Sequence, residues 1–96
     1  MTSKERAYLR GLANSIDAIF QVGKGGISDI LLKQLNDAIE AREIIKVTVL
    51  ETAPGSAKEL ANELAEGSNS MVVQTVGNKI TLFRQRKKNS KIVFPK

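Results

Sequence analysis

The sequence predicts an α/β fold, a two-layer sandwich in which helices cover a mixed four-stranded sheet in the order α-β-α-β-α-β-β. Three observations lead there. Stretches with apolar residues at helical spacing alternate with short β-branched runs, two of the helical stretches open on capping boxes, and Gly77-Asn78 joins the last two strands with a hairpin-length loop. Ninety-six residues with 42% apolar content bound one small domain with a modest core.

Thr2 with Glu5 forms a capping box, and Leu9, Leu12, Ala13 and Ile16 recur at helical spacing, so a first helix covers Ser3 to Ala13, weakened locally by Gly11. Ala18 to Val22 is a short apolar strand that ends in a glycine-dense turn. Ser28 caps a second helix, with Ile27 placed to staple onto Leu32 and Leu31, Leu35, Ala38 and Ile39 along one face as far as Arg42. Ile44 to Leu50 is the strongest strand, with Ile45, Val47 and Val49 sharing a face. Pro54-Gly55 breaks the path. Ser56 and Glu59 then make the second capping box, Ala57, Leu60, Ala61 and Leu64 give a third helix, and Gly67 is expected to stop it. Met71 to Val76 and Lys79 to Arg84 form the closing hairpin. Two parallel crossovers, through the second and third helices, are expected to build the sheet. Residues 1–86 make the domain and 87–96 a basic C-terminal tail, in which Ile92, Val93 and Phe94 could fold back as a short extra strand.

Composition removes most chemistry. There is no cysteine and no histidine, hence no disulfide or thiolate metal site, and the commonest general base near neutral pH is missing. No metal, cofactor, small-molecule substrate or catalysis is expected. No run approaches the length of a membrane span and no secretory apolar block opens the chain, which predicts a cytoplasmic protein. The net charge of +5 is unevenly placed: residues 1–48 carry seven basic and six acidic side chains, whereas residues 79–96 carry seven basic and none acidic. The cationic arm attracts phosphates, and without a large apolar side chain in residues 84–91 it does not suit a membrane surface.

The densest signal is Val22-Gly23-Lys24-Gly25-Gly26-Ile27-Ser28, a lysine-bearing G-x-x-G between a strand and a helix start. Glycines admit positive φ and let another chain approach without meeting a Cβ, and unpaired N–H groups at the helix start suit an anionic backbone. A tight connection with Lys24 as a solvated charge is the plain alternative. The P-loop pattern is absent, because Lys24 follows the first glycine and stands apart from Ser28. The dinucleotide fingerprint is closer, with Gly23-x-Gly25 after a strand and Glu51 after the next, but Ser28 occupies the third glycine position. In KH-type modules a G-x-x-G loop clamps the sugar-phosphate backbone of a few nucleotides. Arg6 and Arg10 sit one turn apart beside the apolar stripe of the first helix, where a solvated helix face is the alternative. Lys33, with Asp29 and Asp37 four residues away on either side, reads as a local ion-pair residue. Arg84, Arg86, Lys87, Lys88 and Lys91 put five cations in eight residues. Of the aromatics, Phe20 and Phe83 belong to the core and Phe94 stays open, so recognition by paired strand aromatics is not expected.

The blocks Ser-Lys-Glu-Arg-Ala-Tyr-Leu-Arg (3–10), Ile-Phe-Gln-Val-Gly-Lys-Gly-Gly-Ile-Ser (19–28), Leu-Asn-Asp-Ala-Ile-Glu-Ala-Arg-Glu-Ile-Ile-Lys-Val (35–47) and Val-Gly-Asn-Lys-Ile-Thr-Leu-Phe-Arg (76–84) resemble the CRM domain in its single-domain bacterial YhbY-like form, from residue 2 to about residue 86. The resemblance implies a fold like the C-terminal domain of translation initiation factor 3. It implies RNA binding through the loop, which carries over as Gly23, Lys24, Gly25 and Gly26, with nearby basic residues. It associates bacterial members with precursors of the large ribosomal subunit and plant relatives with group II intron splicing. A polar residue such as Asn is commoner at the third loop position, where this chain has Gly25, which removes one hydrogen bond and keeps the backbone clamp. The expected function is RNA binding in ribosome assembly by a monomer, through Gly23 to Gly26 with Arg6, Arg10, Arg84, Arg86, Lys87 and Lys88. A ribosome-docking protein module with a basic steering tail is the alternative, and a nucleotide-binding enzyme fragment a minor one.

Overall fold

Each helix opens on a hydroxyl side chain that turns back onto its own first turn. In α1 (Ser3–Ala13), Thr2 Oγ1 accepts from the Glu5 N–H at 3.1 Å while Glu5 Oε1 accepts from the Thr2 N–H at 2.9 Å. In α3 (Ala57–Gly67) the same reciprocal pair joins Ser56 and Glu59, at 3.2 and 3.0 Å. In α2 (Asp29–Arg42) Ser28 Oγ accepts from the Leu31 N–H at 3.1 Å. These bonds satisfy donors that a helix start leaves open, which is why the boundaries agree with the caps read from sequence. The backbone N–H groups of Thr2 and Ser56, followed by their hydroxyls, hold the Glu5 and Glu59 carboxyls below the ordinary glutamate range.

The computed structural model describes residues 2–90 and 92–94; Lys91 and Lys96 of the basic arm lie outside the described residues. Strands β1 (Ala18–Val22), β2 (Ile44–Val49), β3 (Met71–Val76) and β4 (Lys79–Phe83) form one mixed sheet in the order β1-β2-β4-β3. β1 is parallel to β2, while β4 is antiparallel to both β2 and β3. The second crossover therefore carries β3 parallel to β2 one strand further out, and the hairpin at Gly77-Asn78 returns β4 into the gap. Gly77, with φ 59, takes the positive-φ place in that two-residue loop.

Both crossovers step the same way across the sheet, so the right-handed rule sends both helices to one face. There α2 and α3 bury Leu35, Ile39, Ala61 and Leu64 against Val22, Ile45, Val47, Ile80 and Leu82. α1 precedes the first strand and is not bound by that rule. It lies on the opposite face, where Leu9 and Ala13 pack with Ile44, Val73 and Phe83. The α/β class, element order and mixed sheet are as expected, and α1 adds a partial third layer to the two-layer description.

Three expectations need correction. Gly67 does not supply a positive-φ stop: it is the last residue of α3, and the turn beyond is made by Asn69 with φ 55. Its missing Cβ instead admits Leu32, whose methyl carbons would lie 2.6 Å from one. The segment 92–94 folds back without forming a strand: Ile92 is buried, and the Phe94 ring meets the Tyr8 and Phe83 rings edge-on, each at 5.9 Å. Lys33 is exposed and joins no ion pair among the described residues, because an exposed pair gains only a few tenths of a kcal/mol against side-chain entropy. Among the described residues no helix is long and apolar enough to cross a membrane, and no group of three His, Cys, Asp or Glu gathers to hold a metal.

Candidate functional site

The parallel strands β1 and β2 end side by side, so the connections after them, 23–28 and 50–56, meet at one end of the sheet. The Gly26 N–H donates to the Gly23 carbonyl at 2.9 Å, closing Gly23-Lys24-Gly25-Gly26 into a tight turn. Its glycines have separate roles. Gly26 has φ 70, a conformation that favours glycine, and a Cβ there would sit 3.2 Å from Pro54 Cγ, a tight contact that asks the ring to give by a few tenths of an ångström. Gly23 has only ordinary contacts with Leu50 and Thr52. Gly25 has a negative φ and nothing within 4 Å of a Cβ position, so the fold does not require it. It leaves bare, exposed backbone next to the exposed Lys24.

The positive end of α2 behind the turn is already answered in part. Ser28 caps it, and Asp29 places a carboxylate in its first turn. The cation of this site is Lys24, and the helix dipole is secondary to it.

The basic residues divide by geometry. Arg6 Nη1 donates to the Val72 and Val73 carbonyls at 3.0 and 2.7 Å, at the bulge where β3 slips register against β4. It ties α1 to a place where ladder pairing is interrupted. Arg84 is bound more heavily. Its Nη1 donates to Asn36 Oδ1 at 2.7 Å and to the Ser68 carbonyl at 3.1 Å, and its Nη2 pairs with Glu40 Oε2 at 3.0 Å. This guanidinium locks α2, the turn after α3 and the end of β4 together. Both arginines are thus committed inside the fold. Arg10, Lys87 and Lys88 are exposed, Arg86 is half-buried, and none of the four side chains bonds within the described residues.

The arm and the turn do not share a surface. β4 runs antiparallel to β2, and Phe83 pairs with Ile44 at the start of β2, whereas the turn lies beyond Val49 at its end. The length of β2 separates them by roughly 20 Å. Arg86, Lys87 and Lys88 instead line an open cleft with Asn36, Asn69 and Arg84, over the C-terminal half of α2.

The residue missed by sequence reasoning is Glu43. It follows α2 with φ 69, is fully buried, and anchors the arm. Its Oε2 accepts from the Arg86 N–H at 3.0 Å and from Ser90 Oγ at 2.6 Å, while its carbonyl accepts from the Arg84 N–H at 2.9 Å. The partners lie more than forty residues away in the chain, so no local pattern announces them. Residues 84–90 and 92–94 are therefore a strap fastened at Glu43 and Ile92, with Lys87 and Lys88 presented outward.

Comparison with known proteins gives a consistent picture. The CRS1 / YhbY (CRM) domain matches residues 1–84. The probable RNA-binding protein YqeI of Bacillus subtilis is 44% identical over 95 residues, covering 99% of each chain. An RNA-binding protein of Haemophilus influenzae is 25% identical over 96 residues, covering all of this chain and 96% of that one. The solution structure of SAV1595 from Staphylococcus aureus, presented as a candidate RNA-binding protein, superposes with a TM-score of 0.81 at 46% identity over 99% of both chains.

Proposed function

The chain belongs to the CRS1 / YhbY (CRM) domain family, and from that premise we propose that it is a non-catalytic RNA-binding protein of the cytoplasm that grips an RNA backbone at the Gly23–Gly26 turn. One observation carries this reading: Gly25 is a glycine the fold does not need, standing exposed beside a free lysine. Bare N–H groups and one cation suit a phosphate that must come close to the main chain. Arg86, Lys87 and Lys88 form a second basic surface at the far end of α2, while Arg6 and Arg84 hold the fold that spaces the two. Contacts of this kind give affinity and salt dependence and favour a folded RNA able to reach both ends. The RNA names of the relatives support the partner class.

The RNA proposed is ribosomal RNA in a precursor of the large subunit, whose assembly the protein aids as a monomer, in line with the family resemblance. Gradient sedimentation of cell extract tests this. The protein should travel with large-subunit precursors and leave them in high salt; sedimentation only at the top of the gradient under low salt would refute it.

A further inference from the structure

α1 and the returning strap cover only one end of their sheet face, the end of Ile44, Phe83 and Val73. Toward the Gly23–Gly26 turn the same face is open. Strand register sets two rows across it: in the front row Gln21, Thr48, Lys79 and Val76 are successive partners, all exposed except the half-buried Thr48; in the row behind, Ala18, Lys46 and Gln74 are half-buried and Thr81 is buried. Register partners share a face. The bulge in β3 puts Val73 and Gln74 both on this side, Val73 into the core under α1 and Gln74, half-buried, at the β3 end of the rear row. Asn14, Lys46, Gln74, Val76, Lys79 and Thr81 line a shallow cleft of about 140 Å³ there.

The chemistry of the surface is one-sided. No carboxylate occurs among the strand residues of this face. Lys79 is exposed, and Lys46 reaches the Ile16 carbonyl at 3.2 Å. The side-chain amides of Gln21 and Gln74 make no hydrogen bond within the described residues, and Val76, 62% exposed, supplies an apolar patch beside Gln74 on β3. Gln21 stands two residues before Gly23, so the row lies where the turn begins. Four strands span about 14 Å, and a four-stranded sheet of this width carries roughly two or three bases in other RNA-binding domains. No aromatic side chain stands in the open rows, so selection here would come from amides meeting base edges instead of from stacking.

We propose that the front row, with Gln74 behind its β3 end, reads bases: a single-stranded RNA segment held by its backbone at the Gly23–Gly26 turn continues across Gln21, Thr48 and Lys79 to Gln74, where the two amides bond base edges and Lys79 meets a phosphate. This rests on the RNA-binding reading above and adds a source of sequence preference that the turn lacks.

The probe is a randomised single-stranded RNA dodecamer titrated into the isotope-labelled protein and followed by two-dimensional NMR. The side-chain amide signals of Gln21 and Gln74 should shift together with the backbone amides of Gly25 and Gly26. Movement of the loop signals alone overturns the base-reading rows and leaves RNA binding standing; movement of neither overturns both. Shifts of the row signals with protein concentration and no RNA would assign the face to a second copy of the chain and likewise overturn the inference. With the four homopolymeric dodecamers, Gln21→Ala combined with Gln74→Ala should narrow the spread of affinities by about tenfold while the salt slope is unchanged. A spread equal to that of the unmodified protein contradicts the proposal.

Discussion

Alanine at Gly25 and alanine at Gly26 should have opposite consequences, although the residues are adjacent and chemically identical. At Gly26 the φ of 70 is one an L-residue resists, and the new Cβ would stand 3.2 Å from Pro54 Cγ. The left-handed conformation costs about 1–2 kcal/mol, and the contact, which asks the Pro54 ring to give by a few tenths of an ångström, puts the total near the upper end, about 2 kcal/mol. For a domain of this size that lowers the melting temperature by roughly 8–16 °C. At Gly25 the φ is negative and nothing lies within 4 Å, so alanine leaves stability unchanged or raises it by about 0.4–1 kcal/mol through the unfolded chain. Its cost falls on binding instead. A methyl that holds a phosphate off the backbone forfeits a charge-assisted hydrogen bond of about 1.5–3 kcal/mol, a loss of tenfold or more. Thermal unfolding by circular dichroism and RNA titration by fluorescence anisotropy read the two effects separately. Equal melting temperatures for the two variants, or undiminished RNA binding by Gly25→Ala, would refute the division of roles within the turn.

Glu43→Ala removes the acceptor of two part-buried hydrogen bonds and should reduce unfolding free energy by about 2–3 kcal/mol, read by urea denaturation, with the strap becoming sensitive to protease. Replacing Arg86, Lys87 and Lys88 together by glutamine leaves that anchor in place, since Arg86 engages Glu43 through its backbone N–H. It should lower the log-log salt slope of RNA binding by about 2, because each phosphate of a single strand left without its cation takes ~0.7 from the slope. The capping carboxylates set an acid limit. Glu5 and Glu59 have pKa values lowered by folding, so their stabilisation is complete above the ordinary value of 4.5 and is lost as pH falls through the lowered values. Glu5→Gln with Glu59→Gln should flatten the decline in melting temperature below pH 4.5, measured against the unmodified chain.

Local signals were legible and distant ones were not. Thr2, Ser28 and Ser56 announce helix starts because each bonds a backbone group three residues on, and Gly77-Asn78 announces its hairpin for the same reason. The G-x-x-G turn was visible as a cluster of glycines, but which glycine serves the fold depends on Pro54, twenty-eight residues later. Charge alone does not reveal that the Arg6 and Arg84 guanidinium groups donate hydrogen bonds to carbonyls 66 and 16 residues away. Glu43 carried no local signal; its burial depends on Ser90 and the backbone of Arg86 folding over it. The separation of turn and arm follows from β4 running antiparallel to β2, a direction that two parallel crossovers and a closing hairpin imply; only the place of β4 between β2 and β3 was left open by pattern and charge.

The Gly23–Gly26 turn is the proposed grip on RNA, and reversing its charge tests that role most directly. Lys24→Asp with Gly25→Asp does so at two positions that are exposed and free of tertiary bonds. Anisotropy titration against a large-subunit ribosomal RNA fragment should show affinity falling by tenfold or more while the far-UV circular dichroism spectrum is unchanged. Unaltered affinity in that double variant would contradict the central claim.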